Sequence, residues 1–178
     1  HTVDDKPFGG GFGMVMKVDV WHQAIAKIAK LKIAGKKLKP ANKDTAIIML
    51  TPRGKTFNQK MASRLAKFRQ IVFVCGRYEG VDERVAKNIA THQISVGDYD
   101  LMGGELPAMI IADSVIRLIP GVLGGEKSAE IESFQADDAY VEFPQYTRPE
   151  EFRQLKVPDV LLSGHHAEIN KWRDQNSK

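Results

Sequence analysis

Cysteine is nearly absent from this chain: Cys75 is the only one among 178 residues. A lone thiol excludes an intrachain disulfide framework and any zinc site built on several cysteines, and it suits a reducing compartment. Long apolar runs are missing as well. The runs that occur, such as Ile71–Val74 and Met109–Ala112, fit a strand or a core helix segment and fall far short of the ~18 residues that a bilayer span requires. The common local signatures are lacking too: no G-x-G-x-x-G follows an apolar strand, and neither H-E-x-x-H nor G-x-S-x-G occurs. The run from Gly121 to Ser128 imitates a phosphate-binding loop, but Glu126 stands where a glycine is needed and its charge would repel phosphate. The chain opens on His1-Thr2-Val3-Asp4-Asp5, without initiator methionine or signal peptide, and reads as a fragment at its N-terminus.

What is present is a globular mixture, 43% hydrophobic and 27% charged. The net charge of +4 conceals an asymmetry. Residues 1–90 hold 18 Lys and Arg against 7 Asp and Glu, whereas residues 91–178 hold 8 against 15. Lysines at 27, 30, 32, 36, 37, 39 and 43 could attract a polyanion such as RNA, but on charge alone a solvated helix face running into a basic loop is the better explanation.

Residues 1–18 read as an irregular glycine-rich segment. Asp19 is placed to cap a helix running to about Ala34, followed by a loop over 36–44. Thr45–Leu50, Ile71–Cys75 and Gln93–Val96 read as buried strands, and the segments after Phe57, at 81–88 and at 106–118 as helices. Strands alternating with helices predict an α/β fold, a mostly parallel sheet with helices on both faces. Each strand runs into a glycine-bearing loop, at 51–54, 76–80 and 97–104. Loops at the carboxyl ends of parallel strands are where ligands bind. Beyond Gly121 the texture changes: residues 126–151 carry eight acidic groups and only Lys127 and Arg148 as bases, as a mobile linker would. His166–Arg173 has helical character, and the His165-His166 pair reads as a polar surface feature.

The loop from Gly97 to Glu105 joins flexible backbone to an aromatic and apolar residues, and suits a flat heterocycle as well as a plain turn. Arg77 and Glu79 are expected to pair. Arg117, four residues after Asp113 in a last helical turn, is explained by an i,i+4 ion pair or by a role in holding an anion.

Six motifs in one order carry more. They are Asp4-Asp5-Lys6-Pro7-Phe8-Gly9-Gly10-Gly11-Phe12-Gly13-Met14; Cys75-Gly76-Arg77-Tyr78-Glu79-Gly80-Val81-Asp82-Glu83-Arg84; Gly103-Gly104-Glu105-Leu106-Pro107-Ala108-Met109; Ile119-Pro120-Gly121-Val122-Leu123-Gly124; Tyr146-Thr147-Arg148-Pro149; and Leu161-Leu162-Ser163-Gly164-His165-His166. Together they resemble the bacterial tRNA (guanine-N1)-methyltransferase (TrmD) family over essentially the whole chain.

The resemblance implies a SPOUT-type domain with a deep trefoil knot over residues 1–123, a flexible acidic linker over 124–144, and the start of a helical tRNA-binding domain over 145–178. It implies S-adenosylmethionine as cofactor, held by Gly76, Val96, Gly97, Asp98, Tyr99, Asp100 and Leu101 beside Leu50, Thr51, Pro52, Gly103 and Gly104. It admits Mg2+, for which the sequence offers no recognisable ligand set. The implied reaction, in the cytoplasm and by a homodimer, methylates N1 of the guanosine at position 37 of tRNA, reached through the anticodon arm. Arg117 falls on the arginine of the guanine site, and Glu132 on the catalytic aspartate.

Those roles agree with the chemistry. N1 of neutral guanine bears a proton that a carboxylate can remove. The charge that then spreads to O6 suits a fixed guanidinium. Three departures stand out: a first strand and helix are missing before His1, the C-terminal domain stops after its first helix, and position 132 holds glutamate. Glutamate in place of aspartate at 132 adds a methylene, enough to misplace the carboxylate by roughly 1 Å and cost on the order of 10²-fold. The rival reading is a non-catalytic knotted module that holds S-adenosylmethionine or RNA.

Overall fold

The computed structural model describes residues 2–35, 37–123, 133–134 and 140–178. The chain forms two compact units, His1–Val122 and Leu123–Lys178. In the first, β1 (Asp4–Asp5) pairs antiparallel with β2 (Val15–Met16), so the glycine-rich start is not wholly irregular. There follow α1 (Val18–Ala29), β3 (Leu31–Ala34), β4 (Lys37–Pro40), β5 (Thr45–Thr56), α2 (Gln59–Leu65), β6 (Gln70–Val74), α3 (Glu83–Asn88), β7 (His92–Ser95) and α4 (Glu105–Ile116).

Strands β6, β5 and β7 form a parallel sheet in that order, with β5 in the middle. Thr45–Leu50 are all buried, as a central parallel strand covered on both sides requires. The two-residue side-chain period splits them. Ile47 and Met49 join Ile25 and Ala29 of α1 and Val85 and Ala86 of α3 in one cluster. Ala46, Ile48 and Leu50 join Ala62 and Leu65 of α2 and Ile111 and Val115 of α4 in the other. Helices therefore cover both faces. Each fully buried branched side chain contributes about 1.5–3 kcal/mol of transfer free energy.

Three expectations need correcting. The helix expected to reach Ala34 stops at Ala29, because Lys30 adopts a left-handed conformation (φ 48°) and donates its N–H to the carbonyl of Ala26 at 3.0 Å. That turn releases Leu31–Ala34 to pair with β4, in what was expected to be a loop. Asp19 sits in the first turn of α1, and the N-cap is Lys17, without a side-chain cap bond. The third correction concerns β5, which does not stop at Thr51 but continues in extended form to Thr56. Leu50 and Lys55 both face Ile94 of β7, so residues 51–54 stand out of the ladder as a bulge. Pro52, with no N–H to give, lies in that unpaired stretch.

In the second unit, β8 (Glu151–Phe152) and β9 (Leu155–Lys156) form a hairpin, followed by α5 (Asp159–Leu162) and α6 (His166–Asn176). The described end of the expected linker is tied to α6. Val141 and Lys178 exchange backbone hydrogen bonds at 2.7 and 2.9 Å, and Trp172 meets Phe143 and Tyr146 edge-on at 6.5 and 6.2 Å. The residues from 124 to 132, with Glu132 among them, lie outside the described residues.

Candidate functional site

The carboxyl ends of β5, β6 and β7 open into a cavity of about 1140 Å³ in the first unit. Eleven of the twelve residues expected at a cofactor pocket line it: Leu50 just before the bulge, Thr51 and Pro52 within it, Gly76 after β6, and Val96, Gly97, Tyr99, Asp100, Leu101, Gly103 and Gly104 after β7. Asp98, an exposed residue of the same loop, does not.

The loop after β7 is held from inside. Ser95, buried at the strand end, donates its hydroxyl to the carbonyl of Gly97 at 3.0 Å and accepts the Gly97 N–H at 3.2 Å. Gly97 needs its glycine: its φ is +152°, and a Cβ there would run into the Tyr99 ring. The Tyr99 hydroxyl in turn donates to the carbonyl of Val96 at 3.3 Å. The Gly104 N–H donates to the carbonyl of Gly76 at 3.0 Å, which fixes the loop after β7 against the loop after β6.

A third wall comes from the N-terminal segment, which the sequence reading did not assign to the site. Met16 donates its N–H to the carbonyl of Gly80 at 2.9 Å, and Glu79 and Asp82 donate theirs to Met14 and Met16, each at 3.0 Å. These bonds bring Asp5–Phe8 and Val15–Asp19 to the cavity rim. The only advance signal was the run of glycines, which lets a chain lie close to another backbone.

Six carboxylates and five cations line the cavity, so its charge is nearly balanced and unlike a phosphate cradle. Two cations are already paired. Asp82 grips Arg84 through both oxygens, at 2.9 and 2.7 Å, and that hydrogen bonding holds the Asp82 carboxyl below the usual range. Arg77 donates to Glu105 at 3.0 Å, which corrects the expected pairing with Glu79. The Glu105 carboxyl is held low by its own backbone N–H at the start of α4, and then by Arg77. Cys75, at the end of β6, has its thiol pushed up by burial and, to a lesser degree, by the Glu105 charge.

Arg117 is half-buried at the C-cap of α4, where its N–H bonds to the carbonyl of Asp113 at 3.3 Å. It is not part of the cavity lining. The cavity meets α4 at Gly104 and Pro107, and the helix's 12 residues span about 18 Å. Within one chain, then, Arg117 stands at the far end of α4. Glu132 lies outside the described residues. His165 and His166 are exposed in the second unit. Among the described residues no cluster of three or more His, Cys, Asp or Glu is placed to hold a metal ion, so the Mg2+ that the resemblance admits finds no ligand set there. No described helix is long and apolar enough to cross a membrane.

Comparison with known proteins narrows the reading. A family model described as tRNA (Guanine-1)-methyltransferase TrmD matches residues 1–178. A tRNA (guanine-N(1)-)-methyltransferase of Carboxydothermus hydrogenoformans is 50% identical over 177 residues, 99% of this chain and 64% of that protein. Proteins of the same description from Dictyoglomus turgidum and Listeria monocytogenes are 51% and 49% identical, with 97% and 99% of this chain and 64% and 68% of theirs aligned. The chain spans about two thirds of the length of these relatives.

Proposed function

The chain belongs to the tRNA (guanine-N1)-methyltransferase family, and on that premise we propose that it transfers a methyl group from S-adenosylmethionine to N1 of the guanosine at position 37 of tRNA. The observation that carries the reading is the meeting of eleven expected pocket residues around one cavity at the ends of three parallel strands. The cavity fits the cofactor's chemistry. Apolar side chains and glycine-rich backbone suit a flat purine, and a nearly balanced lining with a slight excess of carboxylates suits a sulfonium bearing an amino-acid end better than it would a polyphosphate. When bound, S-adenosylmethionine supplies an activated methyl on a sulfonium centre. We read the loops that end β5, β6 and β7 as the knotted part of the fold.

Glu132 removes the N1 proton of guanine, and Arg117 stabilises the negative charge that gathers on O6. The protein otherwise contributes position: the bonds Ser95–Gly97 and Gly104–Gly76 keep the pocket loops in one geometry. Arg117 at the far end of α4 is accounted for by a homodimer. The outward side of α4 exposes Leu106, Met109, Ile110 and Ile116. Two copies packed antiparallel on that apolar side bring Arg117 of one to the cavity of the other. A tRNA-modifying homodimer of this kind works in the cytoplasm on the anticodon arm.

The test is methyl transfer from labelled S-adenosylmethionine to a tRNA bearing guanosine at position 37, in single turnover, with the intact protein. Transfer is expected, and Glu132→Ala should lower kcat by two or more orders of magnitude while cofactor affinity stays unchanged. Binding of cofactor and tRNA without transfer by the parent overturns the reading in favour of a non-catalytic module. Full rate in Glu132→Ala removes Glu132 from the mechanism.

A further inference from the structure

Between Asp19 and Asp44 the chain has no acidic residue, yet it holds seven lysines. The structure gathers six described ones: Lys27 and Lys30 at the end of α1, Lys32, Lys37 and Lys39 on the β3–β4 hairpin, and Lys43 in the turn that follows it. All six are exposed, and among the described residues none forms an ion pair with Asp or Glu. The hairpin is two-faced. Leu31 and Leu38 pack against the core and Pro40 is buried, whereas Lys32 and Lys39 are directly opposite each other on the other face, with Lys37 beside them. Like charges placed directly across a strand pair are destabilising, and nothing within the hairpin offsets them.

The hairpin is fixed in place, since Ala41 donates its N–H to the carbonyl of Lys30 at 3.0 Å and β4 runs on into the central strand. Its position relative to the site follows from α1. Val18 and Asp19 at the start of that helix line the cavity, and Lys27 and Lys30 stand at its other end. The eight to twelve residues between them correspond to about 12–18 Å, a distance that several phosphates of one nucleic-acid strand cover.

We propose that this hairpin face is a second RNA contact, a phosphate-binding surface that grips the backbone of the substrate RNA away from the reacting base. The inference rests on the reading of the protein as acting on tRNA. It assigns to the lysines the offset that their mutual repulsion lacks, because phosphates brought between them turn the repulsion into attraction and release counterions. The contact carries no base information, so it strengthens binding to every tRNA alike.

The experiment is tRNA binding by the intact protein, followed by fluorescence anisotropy over a series of salt concentrations. The parent is compared with Lys32→Gln/Lys37→Gln/Lys39→Gln and with the corresponding triple Lys→Arg variant. Losing about three phosphate contacts should lower the slope of log affinity against log salt by roughly 2, and weaken binding about tenfold or more near physiological salt. The Arg variant should keep both the slope and the affinity. Melting temperatures near the parent's certify the fold of each variant. If the parent binds tRNA and the Gln variant shows an unchanged slope, the proposal is overturned, and the lysines serve to keep the hairpin edges from pairing with other strands. If the Gln variant loses binding to anionic phospholipid vesicles while its tRNA slope is unchanged, the face belongs to a lipid surface and the proposal is equally overturned. A parent that binds no tRNA brings down the functional reading as well, a result distinct from an unchanged slope.

Discussion

Gly104 lies so close to Cys75 that a Cβ on the glycine would stand 2.7 Å from the Cα of the cysteine. The obstacle is backbone, which cannot swing aside as the end of a side chain can. Because Gly104 also donates its N–H to Gly76, this contact sets the spacing between the loop that ends β6 and the loop that leads into α4.

Gly104→Ala should therefore push the two loops apart. The expected outcome is a stability loss of about 1–3 kcal/mol, typical of overpacking, together with a disproportionate loss of S-adenosylmethionine affinity. Denaturant unfolding and titration calorimetry check the two parts. Met102→Ala, at a residue 90% exposed on the same loop, should leave stability unchanged. Unaltered cofactor affinity in Gly104→Ala would show that the loop spacing does not shape the pocket.

The Cys75 thiol is raised first by burial and then by the neighbouring Glu105 charge. A raised thiol pKa means less thiolate at any given pH, so alkylation near pH 8 should run slower than for a free cysteine. Glu105→Gln removes only the smaller cause and should recover part of that rate. Its effect on the melting temperature should be slight, since Arg77 and Glu105 are both about half exposed. Rates of iodoacetamide labelling against pH decide this, and an equal rate in parent and variant would mean that Glu105 does not act on the thiol.

His92 carries a lowered pKa, from partial burial first and then from Arg64. It lies edge-on to Phe68 at 5.8 Å, with the Thr91 hydroxyl 2.8 Å from Nδ1. Its folded pKa lies below the unfolded value, so the unfolded chain takes up the proton first as pH falls. The contribution is thus fully present above about pH 6.5 and is lost as pH drops through the unfolded and then the folded pKa. The melting temperature of His92→Asn should fall less than the parent's between neutral pH and about pH 5. Identical slopes would place the acid sensitivity elsewhere. Asp82, also lowered, acts only at more acidic pH, so the two effects separate.

Much of the fold was legible because the central strands are unbroken apolar runs and the helices that cover them carry apolar residues at helical spacing. Thr45–Leu50 could be read as a doubly buried strand from composition alone. The end of α1 could not, because Lys30 in a left-handed turn leaves no mark in the hydrophobic pattern, and Ile33 suits the last turn of the expected helix as well as a strand. The bulge at 51–54 was hidden for a similar reason: Pro52 and Gly54 signal a break, and only the register with β7 shows that the strand resumes. At the site, glycines after strands located the loops. For the wall formed by β2 the run of glycines was too general a signal, since that wall depends on backbone bonds such as Met16 to Gly80 that link residues far apart in sequence.

The bulge has a consequence for the order of folding. Ile94 pairs with both Leu50 and Lys55, so β7 must dock before residues 51–54 can be held as a loop. The parallel partners of β5 lie more than twenty residues downstream of it, and such distant pairings form slowly. The cavity therefore takes shape only once those distant pairings are made, together with the core they bury. A molecule that binds there rewards only the finished chain: it should slow unfolding without hastening refolding.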